Sequence, residues 1–292
     1  MKNDDLTSKL EKLKNNISEM KKVTVAFSGG TDSTLLLKVC LEVLGHSRVR
    51  AFMAYSPLIP QEELAEAKKL AGLLKVRLQV IDDLPDLNSP VFKTNPPDRC
   101  YYCKKEIYSV FTDVGFNNAA SSASSDPFDP SNNSSPYTTL MMEGTNIDDL
   151  ADYRPGRKAA VELGVKAPFV ETGFTKEDIR NVSRELELPN WNKPAQACLA
   201  SRIPYGKTVS TQKLIQIEEG EKFLKKIGFE ECRVRHYGSL TRLEVPSKML
   251  DMLLKKSPQI CSKFKTLGFT YITLDMMGLR KGSLNEESIF LE

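Results

Sequence analysis

The run Val23-Thr24-Val25-Ala26-Phe27 leads directly into Ser28-Gly29-Gly30-Thr31-Asp32-Ser33, and that hexamer into Thr34-Leu35-Leu36-Leu37-Lys38-Val39. The order predicts a buried strand, a tight glycine turn and a helix. Two adjacent glycines let backbone N–H groups converge on an anion with no Cβ in the way. The helix adds its first amides and the positive end of its dipole. Ser28 and Ser33 can donate hydroxyl hydrogen bonds, and Asp32 can hold a metal ion. The turn is built for phosphate. It is neither the G-x-x-x-x-G-K-[ST] loop nor the G-x-G-x-x-G dinucleotide fingerprint. The bland alternative is an ordinary strand–turn–helix, but a hexamer set between a strand and a helix is more specific than a lone glycine motif.

The flanking segments extend the same α/β pattern. Leu6, Leu10, Leu13, Ile17 and Met20 recur at helical spacing and predict a leading amphipathic helix. Val49 to Tyr55 reads as a strand, Gln61 to Leu74 as a helix and Val76 to Ile81 as a third strand. Such β-α-β-α-β alternation predicts a parallel sheet with helices on both faces, its ligand beyond the carboxyl ends of the strands. Asn117 to Thr138 is too poor in apolar residues to order itself and is expected to be a flexible surface insertion. A strand over Leu140–Glu143 and a helix over Thr175–Leu186, capped by Thr175 with Asp178, follow. Pro189 and Pro194 mark a boundary between a first domain, 1–195, and a small α+β domain, 196–292. The second is expected to run helix (Thr211–Ile227), strand (Arg233–Tyr237), strand (Leu240–Val245), two helices (Ser247–Lys255, Gln259–Leu267) and strand (Thr270–Asp275).

With 292 residues and a net charge of +3, the chain gives no general argument for nucleic acid or anionic membrane. No stretch approaches a membrane span, and Met1-Lys2-Asn3-Asp4-Asp5 is wrong for a leader, so a cytoplasmic location is expected. Six cysteines then call for reducing-compartment chemistry. Cys40, Cys232 and Cys261 sit among apolar residues and are expected in the core.

Cys100, Cys103 and Cys198 differ. The segment Asn95-Pro96-Pro97-Asp98-Arg99-Cys100-Tyr101-Tyr102-Cys103-Lys104-Lys105 holds a C-x-x-C pair that can share a metal, a cluster or a disulfide. Arg99, Lys104 and Lys105 would favour thiolates. Tetrahedral zinc would want a second pair or ligand-spaced histidines, and the only two, His46 and His236, lack that spacing. Cys198 lies in the proline-bracketed stretch Lys193-Pro194-Ala195-Gln196-Ala197-Cys198-Leu199-Ala200-Ser201-Arg202-Ile203-Pro204, with no histidine nearby to serve as a base. It is a better soft ligand or sulfur donor than a hydrolytic nucleophile. Three thiolates are the number that holds an iron–sulfur cubane with one iron open. After the strand at 140–143, Gly144-Thr145-Asn146 is placed to complete a nucleotide site. Arg233 and Arg235 share one face of a strand and suit a phosphate or carboxylate.

The hexamer resembles the S-G-G-x-D-S signature of the PP-loop ATP pyrophosphatases. Together with N-P-P-D-R-C-Y-Y-C-K, E-G-T-N-x-D-D-L-x-D-Y-R-P-G-R, K-P-A-x-A-C-L-A-S-R-I-P-Y-G, V-R-H-Y-G-S-L-T-R-L-E-V and G-S-L-N-E, it is similar to the LarE family. These are the ATP-dependent sulfurtransferases of nickel-pincer nucleotide biosynthesis. Thr31 stands where that family usually has Val. The resemblance implies a PP-loop fold, ATP, Mg²⁺ and a ring hexamer. It also implies an acyl-adenylate formed on pyridinium-3,5-biscarboxylic acid mononucleotide, then attack by sulfur. Ser28, Gly29, Gly30, Asp32 and Ser33 would hold the phosphates, with Gly144, Thr145 and Ser56 near the nucleoside. Ser201, Arg202, Arg233 and Arg235 would face the substrate phosphate. Cys198, Asp32 and Arg202 would carry catalysis. One branch of the family gives up the sulfur of the cysteine matching Cys198. The other holds a 4Fe–4S cluster on three cysteines, and the presence of Cys100, Cys103 and Cys198 places this chain there. The rival readings are a tRNA thiolase, which predicts a basic RNA-binding surface, an ammonia-dependent ligase of the NAD or GMP synthetase kind, and a nucleotide sensor that releases no pyrophosphate.

Overall fold

The computed structural model describes residues 2–117, 140–151 and 155–280. The expected insertion after Asn117 and the G-S-L-N-E stretch lie outside the described residues. In chain order the helices are α1 (Lys2–Ser18), α2 (Thr31–Leu44), α3 (Gln61–Leu73), α4 (Pro90–Thr94), α5 (Arg99–Asn117), α6 (Pro155–Glu162), α7 (Pro168–Glu171), α8 (Lys176–Glu185), α9 (Thr211–Lys226), α10 (Leu250–Lys255) and α11 (Ser257–Thr266). The strands are β1 (Val23–Ala26), β2 (Val49–Ala54), β3 (Leu78–Ile81), β4 (Leu140–Met142), β5 (Arg233–Tyr237), β6 (Leu240–Glu244) and β7 (Tyr271–Leu274).

Two compact units emerge. The first comprises Met1–Ser56, Gln61–Pro85 and Cys100–Gln196. Its sheet has the order β3-β2-β1-β4, with every pair parallel. Val23 lies opposite both Val49 and Leu140, so β1 has a partner on each side. A strand in that position must be apolar on both faces, and Val23 and Val25 are fully buried. Leu35, Leu36, Leu37 and Val39 bury most of α2. Leu13 and Ile17 bury one stripe of α1, which packs on α2. Elsewhere in the unit, Phe52 of β2, Tyr108 and Phe111 of α5, Met141 of β4 and Ala160 of α6 form one cluster. Phe52 and Phe111 meet edge to face at 5.4 Å.

The second unit comprises Pro57–Pro60, Asp86–Arg99 and Ala197–Glu292. In its sheet, β5 and β6 form an antiparallel hairpin and β7 joins β6 in parallel. Leu214, Ile217 and Leu224, spaced along one face of α9, are buried. Val234, Leu243, Ile260 and Phe264 of the same unit are buried as well. The helix expected over 247–255 begins with a 3₁₀ turn at Ser247–Met249 and becomes α10.

Candidate active site

The phosphate loop leaves β1 and ends at α2 as the sequence predicts. Gly29 has φ +71°, a value open to glycine and costly for other residues, and a Cβ there would stand 3.0 Å from the Cβ of Ala67 in α3. Gly30 is the N-cap of α2 and supplies no side chain to its first turn. The loop is braced from within. The Ser28 amide donates to Ser33 Oγ at 3.2 Å, the Gly30 amide to Ser28 Oγ at 3.3 Å, and Thr34 Oγ1 to the Gly30 carbonyl at 2.9 Å. Uncapped amides, two serine hydroxyls and a helix dipole converge here, an arrangement that binds anions.

Gly144 closes one wall of this site. A Cβ on it would come within 2.9 Å of the Ser33 amide nitrogen and 3.0 Å of Asp32. Thr145 donates to Glu143 Oε1 at 2.7 Å, and Glu143 also accepts from Lys104 at 3.1 Å and from Tyr108. Burial opposes the charge on Glu143, but the Lys104 cation and these donors hold its carboxyl below the usual range. Ser56, just past β2, is buried.

Two residues at the loop carried no motif to announce them. Asn190 is 4% exposed and donates to the Gly29 carbonyl at 3.0 Å. Lys176, the first residue of α8, places its ammonium 2.5 Å from Asp32. Only the loop's folded geometry reveals either one.

Cys100 and Cys103 lie on the first turn of α5, one helical step apart, so they share a face. Cys100 is exposed and Cys103 half-buried. The cations expected to favour their thiolates are engaged with other groups. Lys104 meets Glu143 and Tyr108, Lys105 meets Tyr101 at 3.1 Å, and Arg99, in the second unit, meets Asn95 and the Ala200 carbonyl.

In the second unit Cys198 is half-buried and starts the 3₁₀ turn Leu199–Arg202. Arg202 is 1% exposed. Its Nε and Nη2 donate to Glu221 at 2.8 and 3.1 Å, and Nη1 donates to the Ala197 and Cys198 carbonyls and to Ser201 Oγ. Arg235 likewise donates from Nε and Nη2 to Glu244 at 2.9 and 3.0 Å, and from Nη1 to the Ser201 carbonyl at 2.7 Å. The family resemblance directs Arg202, Arg233 and Arg235 toward a substrate phosphate, yet two of these guanidinium groups are taken by buried carboxylates. Arg233 donates to the Cys232 carbonyl and, among the described residues, makes no salt bridge. Burial and the neighbouring Arg202 charge push its pKa down, the condition of a cation that gains from an anion beside it.

None of the six cysteines is in a disulfide. Burial pushes the Cys40 and Cys232 thiols up to about 12, which keeps both protonated. Cys100, Cys103 and Cys198 remain accessible, and three accessible thiols are donors of the chemistry an iron–sulfur cluster needs. Among the described residues no three His, Cys, Asp or Glu side chains are gathered as a metal centre, and no helix is long and apolar enough to cross a membrane.

Comparison with known proteins places this arrangement. A family profile described as NAD synthase matches residues 5–93, the stretch that holds the phosphate loop and the first three strands. An uncharacterized protein of Synechocystis sp. is 35% identical over 286 residues, which cover 96% of this chain and 98% of that one. An uncharacterized protein of Methanocaldococcus jannaschii is 30% identical over 272 residues, covering 92% and 96%. The pyridinium-3,5-bisthiocarboxylic acid mononucleotide synthase of Lactiplantibacillus plantarum is 37% identical over 272 residues, covering 92% and 91%. With that identity sustained from end to end, this chain belongs to the LarE family, that of the pyridinium-3,5-bisthiocarboxylic acid mononucleotide synthase.

Proposed function

We propose that this enzyme uses ATP to activate a carboxylate of pyridinium-3,5-biscarboxylic acid mononucleotide and then exchanges the activated oxygen for sulfur. The observation that carries the reading is the uncapped, glycine-lined start of α2 in a chain 37% identical to the named synthase. A carboxylate oxygen is a poor leaving group. Its attack on the α phosphorus forms an acyl-adenylate and expels pyrophosphate, and sulfur then attacks the acyl carbon and expels AMP. Ser28, Gly29, Gly30 and Ser33 bind the departing pyrophosphate and stabilise charge as it develops. Gly144, Thr145 and Ser56 border the nucleoside. Asp32 would hold Mg²⁺, which when bound would neutralise the phosphates further. The carboxylate suits a cation, because an ammonium group already stands against it.

Ser201 and Arg233 are assigned to the phosphate of the pyridinium nucleotide, and Arg235, held by Glu244, fixes the Ser201 carbonyl beside them. Arg233 is the best placed by its local electrostatics. Arg202 contributes by fixing the turn that carries Cys198. Cys100, Cys103 and Cys198 would be the ligands of a 4Fe–4S cluster, which when bound would supply the transferable sulfur. Cysteines outside any disulfide accord with a reducing, cytoplasmic setting, and assembly as a homo-oligomer follows the family.

The decisive test is pyrophosphate release by the full chain with ATP and Mg²⁺, offered the biscarboxylated nucleotide, tRNA or ammonia. Release with the nucleotide alone is expected, and no release with it overturns the reading. Anaerobic reconstitution should give broad visible absorbance. Loss of sulfur from Cys198 after one turnover, read by mass spectrometry, would instead make that cysteine the donor.

A further inference from the structure

Lys176 occupies the first turn of α8, where the positive end of the helix dipole disfavours a cation. The backbone there is fixed from several sides. Thr175 and Asp178 form a reciprocal capping box, and Lys9 of α1 holds Asp178 at 3.0 Å. The Lys176 amide donates to Asp148 Oδ2 at 2.7 Å. From this fixed base the side chain extends to Asp32 Oδ1 at 2.5 Å, where both side chains are about three-quarters buried. Helix capping does not need an ammonium group here, since Thr175 and Asp178 already complete the cap. What the ammonium does is neutralise the one carboxylate of the phosphate loop.

We infer that Lys176 is an exchangeable counter-ion of the phosphate loop, an inference that rests on the ATP reading above. Without nucleotide it holds Asp32. When metal-bound ATP enters, Asp32 turns to the metal and the ammonium passes to the pyrophosphate oxygens a short reach away. Net charge at the loop mouth is then balanced in both states. Lys176 would be a third kind of phosphate contact, beside the amides and the hydroxyls. Its loss should therefore act in opposite directions on the two ligands, since it is a partner for ATP and a competitor for the metal.

The test is titration of the full-length Lys176→Met and Lys176→Arg variants with ATP, and separately with Mn²⁺ followed by its electron spin resonance signal. Lys176→Met should bind ATP about tenfold more weakly, the equivalent of one charge-assisted hydrogen bond. The same variant should bind Mn²⁺ severalfold more tightly in the absence of nucleotide. Lys176→Arg, which keeps the charge, should recover most of the ATP affinity. Unchanged ATP binding in Lys176→Met, or a parallel loss of ATP and Mn²⁺ binding with lower thermal stability, would overturn the inference. If the wild-type chain itself bound no ATP, the ATP reading would fall instead.

Discussion

The side-chain amide of Asn190 donates to the carbonyl oxygen of Gly29 at 3.0 Å, across more than half the chain. It also donates to Thr34 Oγ1 at 2.9 Å, and Thr31 Oγ1 returns a hydrogen bond to the Asn190 carbonyl at 3.0 Å. Drawing the Gly29 carbonyl to one side turns the N–H of the same peptide, that of Gly30, to the other. Asn190→Ala leaves a buried carbonyl unsatisfied and should cost about 1–3 kcal/mol of stability. It should also weaken ATP binding about tenfold, because the same peptide carries the Gly30 N–H that holds Ser28 Oγ in the loop. Urea unfolding and ATP titration measure the two effects.

Gly144 offers a second test of the loop. An added Cβ would press on the Ser33 amide and on Asp32, both in the loop to which the phosphates are assigned. Gly144→Ala should raise the KM for ATP severalfold while far-ultraviolet circular dichroism stays that of the wild type. An unaltered KM would remove Gly144 from the nucleotide site.

The Arg202–Glu221 pair is almost wholly buried, with side chains 1% and 8% exposed. Removal of one partner strands a charge, so Arg202→Met or Glu221→Leu alone should cost about 3–5 kcal/mol. The double variant should recover part of that loss, since it strands no charge and leaves only neutral groups such as the Val234 amide and the Cys198 carbonyl without these partners. Arg202 also holds the Cys198 carbonyl. Iodoacetamide should therefore modify Cys198 faster in the double variant, even where stability has returned.

His236 is 4% exposed and neutral, with its pKa pushed down to about 4 by burial and by the Lys213 charge. Its Nδ1 accepts from the Gly238 amide at 3.1 Å and its Nε2–H meets Gln216 Oε1 at 3.0 Å, so a second ring proton would displace a donor. The unfolded ring takes up a proton near pH 6.5, and the folded one takes it up only near 4. Stability from this group is therefore complete above about pH 6.5 and is lost as the pH falls toward 4, up to about 3 kcal/mol. Urea midpoints between pH 7 and 4 should show this slope, and His236→Gln should flatten it.

Local chemistry was legible in the sequence. The capping box at Thr175 and Asp178 forms as read, because its two partners lie within one helical turn. The strands of the first sheet fall within a residue or two of their expected positions for the same reason. The helix α5 was not read at all: the cysteine chemistry of this segment was legible, but no element was expected where Arg99 begins the helix that carries Cys100 and Cys103. The partners of Arg202, Arg235 and Asp32 were not legible. Glu221 lies on another helix, Glu244 on another strand and Lys176 on a distant helix, and no periodicity announces such a meeting.

The pairing of Val23 with Leu140 means that the sheet beneath the phosphate loop can be completed only late in the synthesis of the chain. β1 finds β2 after a short excursion, but its other neighbour is made only once the intervening chain has left the ribosome. Closing so long a loop carries an entropy cost that local helices cannot offset in advance. The nascent chain thus holds a phosphate loop with one wall missing until Gly144 arrives behind β4. A half-made enzyme therefore lacks a complete site in which to spend ATP, and its apolar sheet edge at β1 stays open to unwanted pairing for the same interval.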